Sequence, residues 1–106
     1  MATGRLGTAD LAATTITDVY TVPASTITSA NVSVCNRNAS TVKIRLALSD
    51  TTVTQGNDEF IEYDTSIPPN GTFERNGIVL DATKILTAYS DTANVSVVIT
   101  GVEEAA

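Results

Sequence analysis

The chain has 106 residues, 42% of them hydrophobic, which suits one globular domain with a modest core and not a disordered tail. Twelve acidic residues against six basic ones give a formal net charge of -6. The six cations (Arg5, Arg37, Lys43, Arg45, Arg75 and Lys84) are scattered, so attraction to nucleic-acid phosphates or to an anionic membrane is disfavoured.

Residues 1–14 are rich in Gly, Thr and Ala and weakly patterned. They are expected to form an extended N-terminal arm beside a single β-domain over 15–106. Leu6 and Leu11 are the apolar anchors of that arm, candidate contacts to a neighbouring copy. A helical turn over 8–13 is the best helix candidate in the chain. The first residues contain no apolar stretch, so no secretory signal is expected, and no apolar run reaches the roughly 18 residues of a membrane-spanning helix. The Asn-x-Ser/Thr sequons at Asn31, Asn38, Asn70 and Asn94 then follow simply from a Thr/Ser/Asn-rich composition.

Beyond the arm the dominant signal is alternation with period two. Ala30, Val32 and Val34 alternate with Asn31, Ser33 and Cys35. Val42, Ile44, Leu46 and Leu48 alternate with Lys43, Arg45 and Ala47, and Val95, Val97 and Ile99 with Ser96, Val98 and Thr100. Each stretch places an apolar row on one face of a strand and a polar row on the other. Thr, Val and Ile favour strands because a branched Cβ fits a pleated surface. Strands are predicted over 15–22, 26–35, 41–49, 59–64, 71–75, 77–80, 85–90 and 94–102. Turns fall at Pro23-Ala24-Ser25, at 36–40, in a longer loop over 49–58, at Pro68-Pro69-Asn70-Gly71, at Asn76-Gly77 and at 91–94. Residues 103–106 are expected to fray. About eight short strands with turns every 8–12 residues predict an all-β fold, an antiparallel β-sandwich of immunoglobulin-like or jelly-roll-like type. Val32, Val34, Ile44, Leu46, Val97 and Ile99 are the predicted core.

Chemistry is sparse. Histidine is absent, which removes Ser-His-Asp and Cys-His arrangements, and Cys35 alone closes neither a zinc site nor an internal disulfide. No glycine-rich phosphate loop is present. No enzyme activity, cofactor or metal requirement is expected. Asp58, Glu59, Glu62 and Asp64 surround Phe60, Ile61 and Tyr63. In a regular strand Phe60, Glu62 and Asp64 share a face, which reads as a solvated or interface-facing acidic edge. A calcium ion or a salt bridge to a neighbouring subunit is the other use of such a pair. Tyr20, Tyr63 and Tyr89 are expected to bury their rings and keep their hydroxyls wet, which disfavours a sugar-binding platform.

Several segments taken together are distinctive: Leu6-Gly7-Thr8-Ala9-Asp10-Leu11, Val19-Tyr20-Thr21-Val22-Pro23-Ala24 and Asn31-Val32-Ser33-Val34-Cys35-Asn36-Arg37. They continue with Tyr63-Asp64-Thr65-Ser66-Ile67-Pro68, Glu74-Arg75-Asn76-Gly77-Ile78-Val79-Leu80 and the run from Val95 to Glu103. In this order, over nearly the whole chain, the sequence resembles a family of small tailed-bacteriophage virion structural proteins. The resemblance implies a component of the phage particle, assembled in the host bacterial cytoplasm, and brings no catalytic residue with it. The expected function is a capsid decoration (cement) protein on the outside of the head, with the major capsid protein as partner and neither nucleic acid nor membrane bound. A receptor-binding or structural module of the tail or fibre is the alternative, and a tail-tube or neck component a third. The small core, the lack of a disulfide and the open edges of a sandwich predict self-association, a homotrimer by analogy with other cement proteins. Leu6, Leu11, Phe60, Glu62 and Asp64 are the candidate interface residues.

Overall fold

A row of branched apolar side chains is stable only when a second such row covers it, and two sheets supply that cover here. The computed structural model describes residues 2–51 and 54–106. Eight strands follow one another: β1 (Thr3–Leu11), β2 (Thr17–Thr21), β3 (Thr26–Asn36), β4 (Val42–Ser49), β5 (Phe60–Ile67), β6 (Thr72–Leu80), β7 (Ile85–Ser90) and β8 (Val95–Ala105). Among the described residues there is no helix, and residues 8–11 of the expected helical turn are strand.

The strands form two four-stranded sheets, β1-β8-β3-β6 and β2-β7-β4-β5, packed face to face as an all-β sandwich. β1 pairs with β8, β2 with β7, β3 with β6 and β4 with β5, all antiparallel. This is the order of an eight-stranded jelly roll, one long antiparallel hairpin wrapped across two sheets. In an immunoglobulin-like sandwich the first two strands share a sheet; here β1 and β2 lie in different ones.

The core lies between the sheets. Val32, Val34, Ile44, Leu46, Val97 and Ile99 are each at most 1% exposed, so the alternation correctly marks the inner face. Burial of each such side chain stabilises by about 1.5–3 kcal/mol. At one end of the core Asn36 is fully buried. Its Nδ2 donates to the carbonyls of Ser40 (2.9 Å), Ile67 (3.1 Å) and Pro68 (3.0 Å), and its Oδ1 accepts from the Asn38 backbone N–H at 2.9 Å. This one amide ties the end of β5 and the turn after it to the turn at Ser40.

Residues 3–11 are a strand of the sandwich and not an arm. They pair along β8 from Thr3↔Val102 to Leu11↔Val95. Leu11, expected at an interface, is 2% exposed in the chain's own core, and Leu6 and Ala9 pack against that core. Without β1 the inner row of β8 would be open on one side. The segment reads weakly because a register shift between Arg5 and Gly7 inserts Leu6 as an extra residue and breaks the period of two. At Gly7 the strand crosses β2 so closely that an added Cβ would sit 2.3 Å from the carbonyl oxygen of Val19. Residue 1 lies outside the described residues.

Other boundaries shift too. The expected strands over 71–75 and 77–80 are one strand, β6. Gly77, with φ of 73°, and Asn76 stand opposite Asn31 as a bulge, so this Asn-Gly bends a strand without ending it. The expected frayed end is strand as far as Ala105. Of the expected loop over 49–58, residues 52 and 53 lie outside the described residues.

Both sheets have regular centres and irregular edges. β3 and β8 keep one register from Thr26↔Ala105 to Asn36↔Val95, and β4 and β7 from Ile44↔Ser90 to Ser49↔Ile85. Each of the four pairs that include an edge strand contains a register shift. Bulges twist an edge away from further strand pairing. Edge-to-edge association is therefore obstructed, and the two outer faces are the broad surfaces open to a partner.

Candidate functional site

The acidic segment of β5 is reorganised by two bulges. Opposite β4 the register steps from Ile44↔Thr65 to Leu46↔Glu62, then to Ala47↔Phe60. Between the first two pairs, Tyr63 and Asp64 together face the single residue Arg45, with Asp64 at a φ of 53°. A short Asp tolerates this left-handed conformation better than most residues. The bulge turns Tyr63 and Asp64 both to the outer face and sends Glu62 the other way.

Phe60, Glu62 and Asp64 therefore do not share one face, contrary to the expectation from regular alternation. Glu62 binds Arg75 of β6, and its Oε1 accepts from Thr65 Oγ1 at 2.8 Å. That ion pair closes the gap between the edge strands of the two sheets, with 18% of the Glu62 side chain exposed. Asp64 accepts from Arg45 Nε at 2.7 Å on the outer face. This hydrogen bond holds the Asp64 carboxyl below its ordinary pKa and raises that of Arg45. Of the predicted interface residues, Phe60 and Asp64 come together around Tyr63. Leu6, Leu11 and Glu62 stand apart from them and serve the sandwich itself.

Arg45 centres the cluster on the outer face of the β2-β7-β4-β5 sheet. Its guanidinium carbon lies 4.2 Å from the centroid of the Tyr63 ring and 5.0 Å from that of Tyr89. Phe60 meets Tyr63 edge-on, with centroids 5.0 Å apart and rings at 88°. Beside the cluster is a depression of about 60 Å³ lined by Ile16, Ala47, Phe60, Thr87 and Tyr89 among others. Tyr63 is 58% exposed, against the expectation of a mostly buried ring. The Tyr20 ring is buried as expected, but its hydroxyl is engaged by Thr28 and Glu103 and not by water. The bulge explains the exposure of Tyr63, and no period-two pattern signals it. The usable hint was Arg45 on the polar row of β4, midway between Lys43 and Ala47.

The outer face of the β1-β8-β3-β6 sheet is different in kind. Its two central strands present Ser29, Asn31, Ser33 and Cys35 beside Ser96, Val98, Thr100 and Val102, an uncharged middle with one charge at its end, Glu104 opposite Ile27. Charged side chains stand on the flanking strands: Arg5 and Asp10 on β1, Glu74 on β6. Val79 is 65% exposed, Ile27 42% and Val102 40%. Cys35 is half-buried in this face with Ser96 and Thr72 as its neighbours across the strands. A shallow polar depression of about 260 Å³ lies over the β6 bulge, lined by Asn31, Ser33, Glu74, Asn76 and Thr100.

Among the described residues no group of three or more Cys, Asp or Glu is placed to hold a metal ion, and Glu62 and Asp64 are engaged by different arginines. What the arrangement offers is contact chemistry: one broad face with an uncharged middle and charged margins, and one face with a stacked Arg-Tyr cluster. Compared with family models, with curated proteins and with solved structures, the chain matches none of them.

Proposed function

We propose that the chain is a structural protein of a tailed-bacteriophage virion, a decoration protein that docks on the major capsid protein at the outer surface of the head. The observation that carries this reading is the outer face of the β1-β8-β3-β6 sheet. A chain of net charge -6 keeps the middle of one broad face free of charge, with Arg5, Asp10, Glu74 and Glu104 at its margins, and leaves Val79, Ile27 and Val102 exposed on it. Such a face suits another flat protein surface, while acid elsewhere keeps unassembled copies apart in solution. The sequence resemblance to small virion proteins points the same way.

Size suggests how the docking is organised. Four strands at ~4.8 Å spacing and about eight residues of length give a face of about 500 Å². A specific interface of standard size uses about 800 Å² per partner. One copy therefore holds weakly, and several copies linked together hold firmly through avidity. Self-association as a homotrimer at a threefold lattice site supplies that linkage, through side chains and not through the bulged edges.

The test is to mix purified, labelled protein with undecorated heads, with tails and with host cells, and to image where it sits. Saturable, regularly spaced label on heads is the expected result. Label confined to tails or cells overturns the reading, and light scattering of the free protein reads the number of copies.

A further inference from the structure

We propose that the outer face of the β2-β7-β4-β5 sheet binds a neutral pyranose sugar, stacked on Tyr63 and held by Arg45 and Asp64, with an N-acetyl substituent in the adjoining depression. The face opposite the proposed docking surface would be turned away from the head, so the inference goes beyond capsid binding and does not require it.

Tyr63 is the platform. Tyr63 is 58% exposed, with Arg45 and Phe60 packed against its ring. Arg45 packs 4.2 Å from the ring centroid and Phe60 5.0 Å away, edge-on. A pre-ordered ring loses little freedom when a ligand covers it, so more of the contact energy remains as affinity. The C–H face of a pyranose is the ligand surface that matches a flat aromatic ring at a wet site.

Arg45 and Asp64 supply the polar half. Arg45 Nε donates to Asp64 Oδ1 at 2.7 Å. This leaves the terminal guanidinium N–H groups as donors and the second carboxylate oxygen as an acceptor. A donor beside an acceptor fits adjacent sugar hydroxyls, each of which both gives and takes a hydrogen bond. The pair has no net charge, and the chain carries -6, so a neutral sugar is favoured over an anionic one.

The depression decides the substituent. At about 60 Å³ it has room for roughly two waters and not for a sugar ring. Ile16, Ala47 and Phe60 make much of its wall apolar, and Thr87 adds a hydroxyl. A methyl carried on an amide fits that lining better than a bare hydroxyl does. Arg45 and Phe60 line the depression and also touch Tyr63, so one ligand reaches both.

The test is a nuclear magnetic resonance titration of the full chain with three probes: methyl N-acetyl-β-glucosaminide, methyl β-glucoside and N-acetylneuraminic acid. Saturable shifts at Tyr63, Arg45 Nε and Ile16 are expected with the first probe. The second should bind about tenfold more weakly, and the third should give no saturable shift. Tyr63→Ala should lose the response and Tyr63→Phe keep it; residue 63 faces solvent, so the rest of each spectrum reports an intact fold. Absence of a saturable shift at Tyr63 with the first probe, an undiminished response in Tyr63→Ala, or loss in Tyr63→Phe overturns the stacking. Equal affinity for the first two probes overturns the acetyl placement, and tighter binding of the third overturns neutrality. Head binding is measured separately on the other face, so either proposal can fail alone.

Discussion

The Tyr20 hydroxyl donates to the Glu103 carboxylate across a separation of 83 positions and joins β2 of one sheet to β8 of the other. The same hydroxyl shares a 2.8 Å hydrogen bond with Thr28 Oγ1, and Glu103 Oε1 accepts from the Ala2 backbone N–H at 2.9 Å. The Tyr20 hydrogen bond, then the Ala2 one, holds the Glu103 carboxyl below its ordinary value of 4.5. A carboxyl lowered in the folded state adds stability above its ordinary pKa, and that stability is lost as pH falls through the folded value. Asp64, lowered by Arg45, has the same sign. Burial first, and Glu103 second, raise Tyr20 above 10.0, so its contribution is present below that pH and lost as pH rises through the folded value.

Denaturant unfolding should therefore show a stability plateau between roughly pH 5 and 9, falling on both sides. Tyr20→Phe should lower the plateau by about 1–3 kcal/mol, because the buried Thr28 hydroxyl loses its partner. The variant should also flatten the acid limb. An acid limb identical to that of the parent protein would mean that Tyr20 contributes nothing to the lowering of Glu103.

Asn36 makes a second case. Its Nδ2 serves three carbonyl oxygens, two of them from the Ile67-Pro68 turn. Asn36→Ala should cost about 3 kcal/mol, because the Ser40 and Ile67 carbonyls lose this donor while that of Pro68 keeps the Gly71 N–H. Asn36→Asp should cost more, since a carboxylate would face the same three oxygens with no proton to give. The measurement is the urea midpoint of each variant at neutral pH; an Asp variant as stable as the Ala variant would contradict the hydrogen-bond assignment.

β1 gives the third. Because Leu11 is 2% exposed and β1 covers β8, Leu11→Ala should cost about 2–5 kcal/mol. Deleting residues 2–11 should leave a chain without cooperative unfolding, where a loose arm would have left the sandwich intact. Circular dichroism melts of both decide between strand and arm.

The parts of this molecule that were readable in the sequence are those where period two is unbroken. β3, β4 and β8 carry regular central ladders, and their buried residues Val32, Val34, Ile44, Leu46, Val97 and Ile99 were correctly predicted; the fourth central strand, β7, was predicted only as a strand over 85–90. Where the chain bulges, alternation misleads. Leu6 hid β1, Asn76-Gly77 looked like a turn, and the extra residue at Tyr63-Asp64 moved Asp64 away from Glu62. A bulge is specified by partners across the sheet, such as Arg45 for Asp64, and those partners are distant in sequence. The strand order was equally hidden, since spacing fixes the number of strands but not which sheet each one joins.

The docking face yields the last prediction. Val79 is 65% exposed on β6, and Ser33 points outward from β3, so neither supports the core. Val79→Glu and Ser33→Arg should each change stability by no more than about 0.5 kcal/mol, the usual range for surface substitutions. On a face that must lose its water against another protein, Val79→Glu introduces a charge with no cation across the strand, and an unpaired buried charge costs several kcal/mol, whereas Ser33→Arg stands opposite Glu74 and is partly compensated. Head binding measured by co-sedimentation should accordingly weaken by at least about tenfold for Val79→Glu and by less for Ser33→Arg. Tyr63→Ala, on the opposite face, should sediment with heads as the parent does. If both charged variants bound heads normally while Tyr63→Ala did not, the docking surface would be the Arg45 face, and the two faces would exchange roles.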